Sequence, residues 1–475
     1  MSRVRRKWGL AAAAAAMLAL VVAGCEHGKK ESAAEPAGQQ VPARAAPAPP
    51  PVPQAAIRVI DGDTSKSVAG ALVVSAGVRG TVDDGGMVRF DSPGRRVRAR
   101  VSARGYEPRT VRVDFRGRLV QTVPIWRPAL QWPMYGANPA RTQVHPAIRL
   151  RPPFRVVWKR RLHGLVEFPA VVWDGVAYVN NGRGWLRALS MKNGHLMWRK
   201  RVGRLMASSP AVDPKRRILV TTSMVPGDVT ILSMAHGRVR WRYHTGLAEP
   251  SPVVRNGIAY FGATNGNVYA LDLDRRRPRW IFRGGAKITS SAALVGNRLY
   301  FGDYAGRVFA LNARTGRVIW RGSAGTRVYG TVAVAGERVF VPSVFSGLSA
   351  LSARSGRLLW RIPVGAYLYS SPAFFRHRVY FGTYAGRVYC AAARSGRILW
   401  SRPTGGRVSG AVQIVAGVLY AGTLEGRITA WHWRTGRTLW HFHHARYVPV
   451  SGNGARLLMH GGSGIWAVVP KRRKA

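Results

Sequence analysis

Apolar residues in this chain come in short runs, each closed by a two- or three-residue turn. The stretch from Thr289 to Trp320 shows the unit: SSAALV then GN, RLYFGD then YAG, RVFALNA then RTG, and finally RVIW. Short runs rich in Val, Tyr, Phe and Leu, separated by glycine-bearing turns, are strands joined by tight connections. Side chains alternate along a strand, so Val308 and Ala310 face one way and Phe309 and Leu311 the other. Both faces are apolar. The pattern predicts a four-stranded antiparallel sheet sandwiched between two others like it.

The unit recurs. RTGRVIW (Arg314 to Trp320) is followed by RSGRLLW, RSGRILW and RTGRTLW, each forty residues further on. The closing tryptophans are Trp158, Trp198, Trp241, Trp280, Trp320, Trp360, Trp400 and Trp440, at intervals of 40, 43, 39 and then 40 four times. A period near forty with four strands per unit is the signature of a β-propeller. In each motif the glycine (Gly316, Gly356, Gly396, Gly436) supplies a positive φ at the turn. The tryptophan that ends the outer strand covers the seam with the next blade, burying on the order of 200 Å². Seven complete units lie between Trp158 and Trp440; an eighth begins at His441 and lacks a closing tryptophan. The orphan strand FRVVW, Phe154 to Trp158, supplies the missing edge if it pairs with that last unit and closes the ring. The expected fold is all-β: an eight-bladed β-propeller of four-stranded antiparallel blades over residues 128–475, preceded by a small β-sandwich over 57–127.

The recurring Trp motif and WPMYGANPART (Trp132 to Thr142) resemble the tryptophan-docking repeats and the lead-in segment of propellers of the pyrroloquinoline-quinone (PQQ) type. Within residues 57–127, IRVI, ALVVSAG, MVRFD, RVRARVSA, RTVRVDF and LVQTVPI read as strands between turns such as Asp61-Gly62-Asp63, Asp83-Asp84-Gly85-Gly86 and Ser92-Pro93-Gly94. Ala69-Gly70-Ala71, the Asp83 turn and Ala103-Arg104-Gly105-Tyr106 resemble the carboxypeptidase regulatory-like sandwich, a module that implies a spacer or binding unit.

Ahead of this lies an export signal over residues 1–25. Arg3, Arg5, Arg6 and Lys7 precede the apolar run from Leu10 to Val22. Val22-Ala23-Gly24-Cys25 resembles the bacterial lipobox, which implies cleavage before Cys25 and lipidation of its thiol. Residues 26–56, rich in Pro and Ala, read as an extended tether. The expected location is extracytoplasmic, lipid-anchored to a bacterial membrane.

Charge changes the picture of partners. The 475 residues carry 74 Lys plus Arg against 20 Asp plus Glu, a net charge of +54. Such a field implies polyanions nearby or an acidic milieu. Arginines recur in the turn before each fourth strand: Arg314, Arg317, Arg354, Arg357, Arg394, Arg397, Arg434 and Arg437. With Arg298, Arg338, Arg376 and Arg378 in the turns after the first strands, they fall on one face of the disc and form a candidate polyanion face for anionic lipid or wall polymer. Nucleic acid is not expected outside the cell.

Counting eight or nine residues past each tryptophan reaches the mouth of the central channel, a default place for a ligand. Glu167, Glu249, Tyr329 and Tyr369 fall there, with Arg327 and Arg407 two residues earlier in their blades; these six are the candidate binding residues of the mouth. Catalytic chemistry is not legible. The PQQ-type resemblance implies a Ca²⁺ cage, a catalytic Asp and a vicinal Cys pair, yet Cys390 stands alone in register with Ala310, Ala350 and Ala430, and only ten acids follow residue 128. His441 and His443 share a strand face without a third ligand nearby. No cofactor, metal or catalytic residue is assigned. The reading is a non-catalytic, lipid-anchored envelope scaffold for protein interaction or envelope assembly, similar to the BamB-type propeller lipoproteins of outer-membrane assembly, its protein partner unidentified. The alternatives are a polyanion-binding envelope protein and a PQQ-dependent oxidoreductase.

Overall fold

The sheet edges that a propeller must hide are removed by joining the chain to itself. In a computed structural model that describes residues 55–75, 78–90, 96–116 and 119–471, strand Phe154–Arg161 pairs antiparallel with Gly464–Pro470, and Trp158 lies opposite Ala467. The export signal, Cys25, most of the tether and the Ser92-Pro93-Gly94 turn lie outside the described residues.

Eight blades result. Blade 1 is Val171–Trp173, Val176–Asn180, Trp185–Ser190 and Leu196–Arg201, from the inner strand to the outer. Blades 2 to 7 repeat that order over 211–244, 253–283, 293–323, 333–362, 373–403 and 413–442. Blade 8 is 450–470 with Phe154–Arg161 as its outer strand. Blade 7 also takes a fifth, parallel strand, Val144–His145, along its inner edge.

A cross-strand row explains the sequence repeat. In blade 4, Tyr300 lies opposite Ala310, which lies opposite Trp320; blade 6 repeats the row as Tyr380, Cys390 and Trp400. The middle residue must be small because large rings flank it, which is why fully buried Cys390 takes an alanine position. A register shift between Ala310 and Leu311 follows the pairing with Trp320, so the outer strand carries one extra residue there. The indole then reaches the next blade: Nε1 of Trp320 donates to the Ala353 carbonyl at 3.0 Å. Trp158, Trp198, Trp280, Trp360 and Trp400 make the same bond to Met191, Met234, Ala313, Ala393 and Arg434 at 2.9–3.1 Å.

The motif glycine answers to this contact as well as to its φ of 75° at Gly356, since a Cβ there would lie 2.4 Å from the Trp320 ring. Trp241 and Trp440 depart from the pattern. Opposite Trp241 the motif glycine is replaced by Arg276, and blade 2 has Val220, as blade 8 has Leu458, where the other six blades place an aromatic ring. Trp440 stacks on Phe442 and meets Phe154 edge-on, because blade 8 has no such turn.

The sandwich has seven strands. Ala55–Asp61 lies between Met87–Phe90 and Val120–Ile125, and the second sheet runs Val78–Thr81, Leu72–Ser75, Arg96–Ser102, Arg109–Asp114. The run ALVVSAG, read above as one strand, contributes Leu72–Ser75 and stops; the chain then returns as Val78–Thr81. The first strand also takes in Ala55 and Ala56, both buried, which the sequence reading left in the tether.

The sandwich docks on the turns after the first strands of blades 8 and 1. Asp63 accepts from Asn453 Nδ2 at 2.8 Å and from Gln131 Nε2 at 3.2 Å, and Glu107 accepts from Trp173 Nε1 at 3.1 Å. Burial, and then the nearby Asp61 charge, push the Asp63 carboxyl up to about 7; burial and the Asp174 charge raise Glu107. A carboxyl that is raised on folding lends stability below its unfolded pKa and loses it as pH climbs through the folded value. The contribution of Asp63 is therefore expected to grow as pH falls from 8 to 4, by on the order of 4 kcal/mol, against the opposite contributions of His460 and His145, whose imidazoles burial holds below the usual range. Urea midpoints followed by tryptophan fluorescence should show that contribution as a gain of Asp63→Asn over the unaltered chain that is small at pH 4 and grows as pH rises to 8.

Candidate functional site

The lead-in segment runs around the inside of the ring before the first blade begins. Trp132 bridges Val172, and the carbonyls of Pro133, Pro139, Ala140, Thr142 and Gln143 accept from Val212, Leu294, Val334, Phe374 and Ile414, on the inner strands of blades 2, 4, 5, 6 and 7. Arg141 fills the hub. Fully buried, it donates from Nε to Ala292 O at 3.0 Å, from Nη2 to Ser251 O and Pro252 O at 3.0 Å each, and from Nη1 to Tyr135 O. Burial brings its pKa down to about 9, which leaves it charged at neutral pH. Nothing in the sequence distinguished Arg141 from the other arginines.

Tyr135, held by Ser371 Oγ at 3.1 Å, helps line an axial cavity of about 50 Å³. The walls bring together Glu167, Glu249, Tyr329 and Tyr369 of the predicted mouth, with Thr289 and Ser409 from the same column and Tyr447 beside them. Tyr329 and Tyr369 meet edge-on at 5.3 Å. Burial raises both glutamates; the charge of Glu249 adds to this at Glu167, while Lys287 and a Tyr329 hydrogen bond oppose it at Glu249.

Most acids of the propeller are held in ion pairs. Of the propeller's ten, Asp174, Asp213, Asp228, Asp272, Asp274, Asp303 and Glu425 are paired with Arg or His; Glu167, Glu249 and Glu337 are in no ion pair among the described residues, and of these three Glu167 and Glu249 line the cavity.

Arg327 and Arg407 do not line the cavity. Arg327 lies over the rings of Tyr304 and Phe345 at 5.8 and 5.3 Å, and Arg407 pairs with Glu425 at 2.8 Å beside Tyr384. Around the mouth, the position two residues before the column reads Leu165, Leu205, Leu247, Lys287, Arg327, Tyr367, Arg407 and Tyr447. The three leucines are exposed, as are Phe345 and Tyr367 at 58% and 46%.

The opposite face carries the turns after the first strands and before the fourth. Arg314, Arg317, Arg354, Arg357, Arg394, Arg397, Arg434 and Arg437 are all exposed there. Arg298 donates to Ala353 O and Arg378 to Arg434 O, which ties the two kinds of turn together across neighbouring blades. His441 bonds Thr429 Oγ1 and lies 6.2 Å from His443, ring to ring. Among the described residues no three His, Cys, Asp or Glu side chains form a metal cage.

The family profile described as "Outer membrane protein assembly factor BamB" matches residues 154–281, 264–361 and 344–465. The chain belongs to that family. The outer membrane protein assembly factor BamB of Yersinia pestis is 28% identical over a stretch covering 26% of this chain and 36% of that protein. The matched stretch thus spans about a third of that curated relative. Among solved structures, BamB from Moraxella catarrhalis superposes with a TM-score of 0.59 at 14% identity, covering 68% of this chain and 99% of that one. A quinohemoprotein alcohol dehydrogenase from Comamonas testosteroni gives 0.62 at 15% identity, covering 73% and 81%. At such identities the likeness is one of fold.

A quinone held over Ca²⁺, the chemistry of the quinoprotein branch of this fold, does not fit the residues present. The axial cavity is lined by only two carboxylates among the described residues, and Arg141 fills the hub. Cys390 is buried in the blade wall as a lone thiol whose pKa burial pushes up to about 11.

Proposed function

We propose that the protein is a non-catalytic, lipid-anchored scaffold of the bacterial envelope that binds a protein partner at the mouth of its propeller and serves envelope assembly. Membership in the BamB family supports the assembly role, and the lipobox-like Val22-Ala23-Gly24-Cys25 supports anchoring through Cys25. The observation that carries the choice of surface is the mouth itself, where exposed Leu165, Leu205, Leu247 and Phe345 share one face with Tyr329, Tyr367, Tyr369, Arg327 and Arg407. Tyrosine, arginine and large apolar side chains on a rigid, concave surface are the composition of a protein-binding hot spot. Glu167 and Glu249 add a local acidic centre inside a basic rim, which favours a partner that presents a cationic side chain to the hub.

Affinity capture from the native envelope is the test. The unaltered chain should retain a defined partner, and Tyr329→Ala combined with Tyr369→Ala should weaken that retention at least tenfold. Capture of the same partners in the same amounts by the double variant sinks the mouth as the site.

A further inference from the structure

The face opposite the mouth is not uniformly basic. Over blades 8 and 1 it is covered by the sandwich, through Asn453 against Asp63 and Trp173 against Glu107. Over blades 2 and 3 some of its arginines are matched by acids: Arg217 by Asp174, Arg216 by Asp213 and Asp274, and Arg275 by Asp272, while the exposed Arg238, Arg255, Arg276 and Arg277 are in no ion pair among the described residues. Over blades 4 to 7 the matching stops. The eight turn arginines are exposed, none is in an ion pair among the described residues, and Glu337 is the one acid in the turns of these four blades on that face. The result is a crescent over blades 4 to 7 in which the turn guanidinium groups go unmatched, against the partial matching over blades 2 and 3.

A pocket of about 240 Å³ opens within the crescent, between the lead-in segment and blades 6 and 7. Val144, Pro146, Phe375 and Ile414 give it apolar walls, and the exposed Arg149 and Arg376 reach it with their charges. The Arg376 guanidinium sits 5.5 Å from the rings of both Phe375 and Trp433, so an aromatic platform holds it in place. Guanidinium groups bind phosphate in a planar, two-pronged way, and an apolar wall beside them accepts the carbon skeleton attached to it. That pairing matches a phospholipid headgroup with its glycerol, whereas a soluble phosphate polymer would leave the apolar walls unused. The chain also enters from this side, since Ala55 opens the sandwich that covers blades 8 and 1.

We propose that the arginine crescent of blades 4 to 7 is a docking surface for an anionic phospholipid membrane, and that the pocket beside Arg149 and Arg376 takes one headgroup. The disc then meets the membrane on one face and leaves the mouth on the other free.

Vesicle co-sedimentation of the full chain tests this, with phosphatidylcholine vesicles as the baseline and phosphatidylglycerol mixed in as the probe. Arg354→Glu, Arg394→Glu and Arg434→Glu together should cut the phosphatidylglycerol-dependent binding at least about 100-fold, since each arginine lost costs roughly fivefold near an anionic surface and each glutamate gained adds repulsion. The control triple Arg201→Glu, Arg242→Glu and Arg283→Glu changes the net charge equally, at exposed positions on the outer strands of blades 1 to 3, and should cost less than a tenth of that. Arg149→Glu with Arg376→Glu should lose headgroup preference while keeping the thermal unfolding midpoint. Roughly half-molar salt should abolish the phosphatidylglycerol-dependent part. Equal losses in both triples overturn the proposal, as does binding to soluble polyphosphate at a phosphate concentration where the vesicles are not bound.

Discussion

Replacing Arg141 with Ala is expected to lower the unfolding free energy by about 4 kcal/mol, among the largest effects of any single change in this chain. The guanidinium answers carbonyls from Tyr135, Ser251, Pro252 and Ala292, which belong to the lead-in segment and to the inner ends of blades 3 and 4. Truncation leaves those oxygens buried without donors, and each lost partner costs roughly 1 kcal/mol or more. The surrounding segment cannot relax cheaply, because Gly136, Ala137, Arg141 and Gln143 already hold positive φ values between 57° and 75°. Arg141→Lys keeps the charge but offers a single ammonium to carbonyls that the planar fork reaches together, so it should recover less than half of the loss. Urea unfolding followed by circular dichroism measures both variants. Limited proteolysis should find the 132–145 segment newly cleavable in Arg141→Ala. A loss below about 1 kcal/mol would mean that the hub is filled by something other than this residue.

Arg141 also marks the boundary of what the sequence reveals. The blade register was legible because one tryptophan and one glycine must recur wherever a docking contact recurs, and that register placed Cys390 in the small-residue row and left Phe154–Trp158 to close blade 8. The same count gathered Glu167, Glu249, Tyr329 and Tyr369 into one cavity, since residues equidistant from the tryptophans reach the axis at the same height. It did not say where the neighbouring side chains turn. Arg327 and Arg407 swing away from the cavity to aromatic rings and to Glu425, and those partners sit on other strands at spacings with no fixed period. Long-range contacts made once are silent in a repeat. Arg141 reaches blades 3 and 4 by the path of the lead-in segment, and Asp63 finds Asn453 across 390 residues. The unpaired crescent is half visible in the sequence: the arginine column recurs there, but its contrast with the partly paired turns of blades 2 and 3 depends on which acids fold back onto which arginines.

The second large effect is expected at Trp320, and it separates a repeated contact from a repeated letter. Trp320 is 7% exposed, its ring lies 5.9 Å from that of Tyr300, its Nε1 bonds Ala353 O at 3.0 Å, and Gly356 leaves room for it at the neighbouring turn. Trp320→Ala removes all of these at one blade seam and should cost about 4 kcal/mol in a urea titration. Trp241 carries the same letter in the same register but a weaker joint. Arg276 takes the place of the turn glycine; Val220 replaces the aromatic partner across the sheet, leaving Tyr243 at 6.1 Å; and the indole is only half-buried. Trp241→Ala should therefore cost about 2 kcal/mol or less. Because each blade touches mainly its two neighbours, the weaker joint between blades 2 and 3 should also open first, and amide hydrogen exchange should be fastest there in the unaltered chain. Equal losses at Trp320 and Trp241 would show that burial of the indole alone holds the seams. The expected gap instead assigns much of the strength to the glycine and the carbonyl that receive it, and so explains why the whole motif, and not only its tryptophan, is spelled out again at each regular turn of the ring.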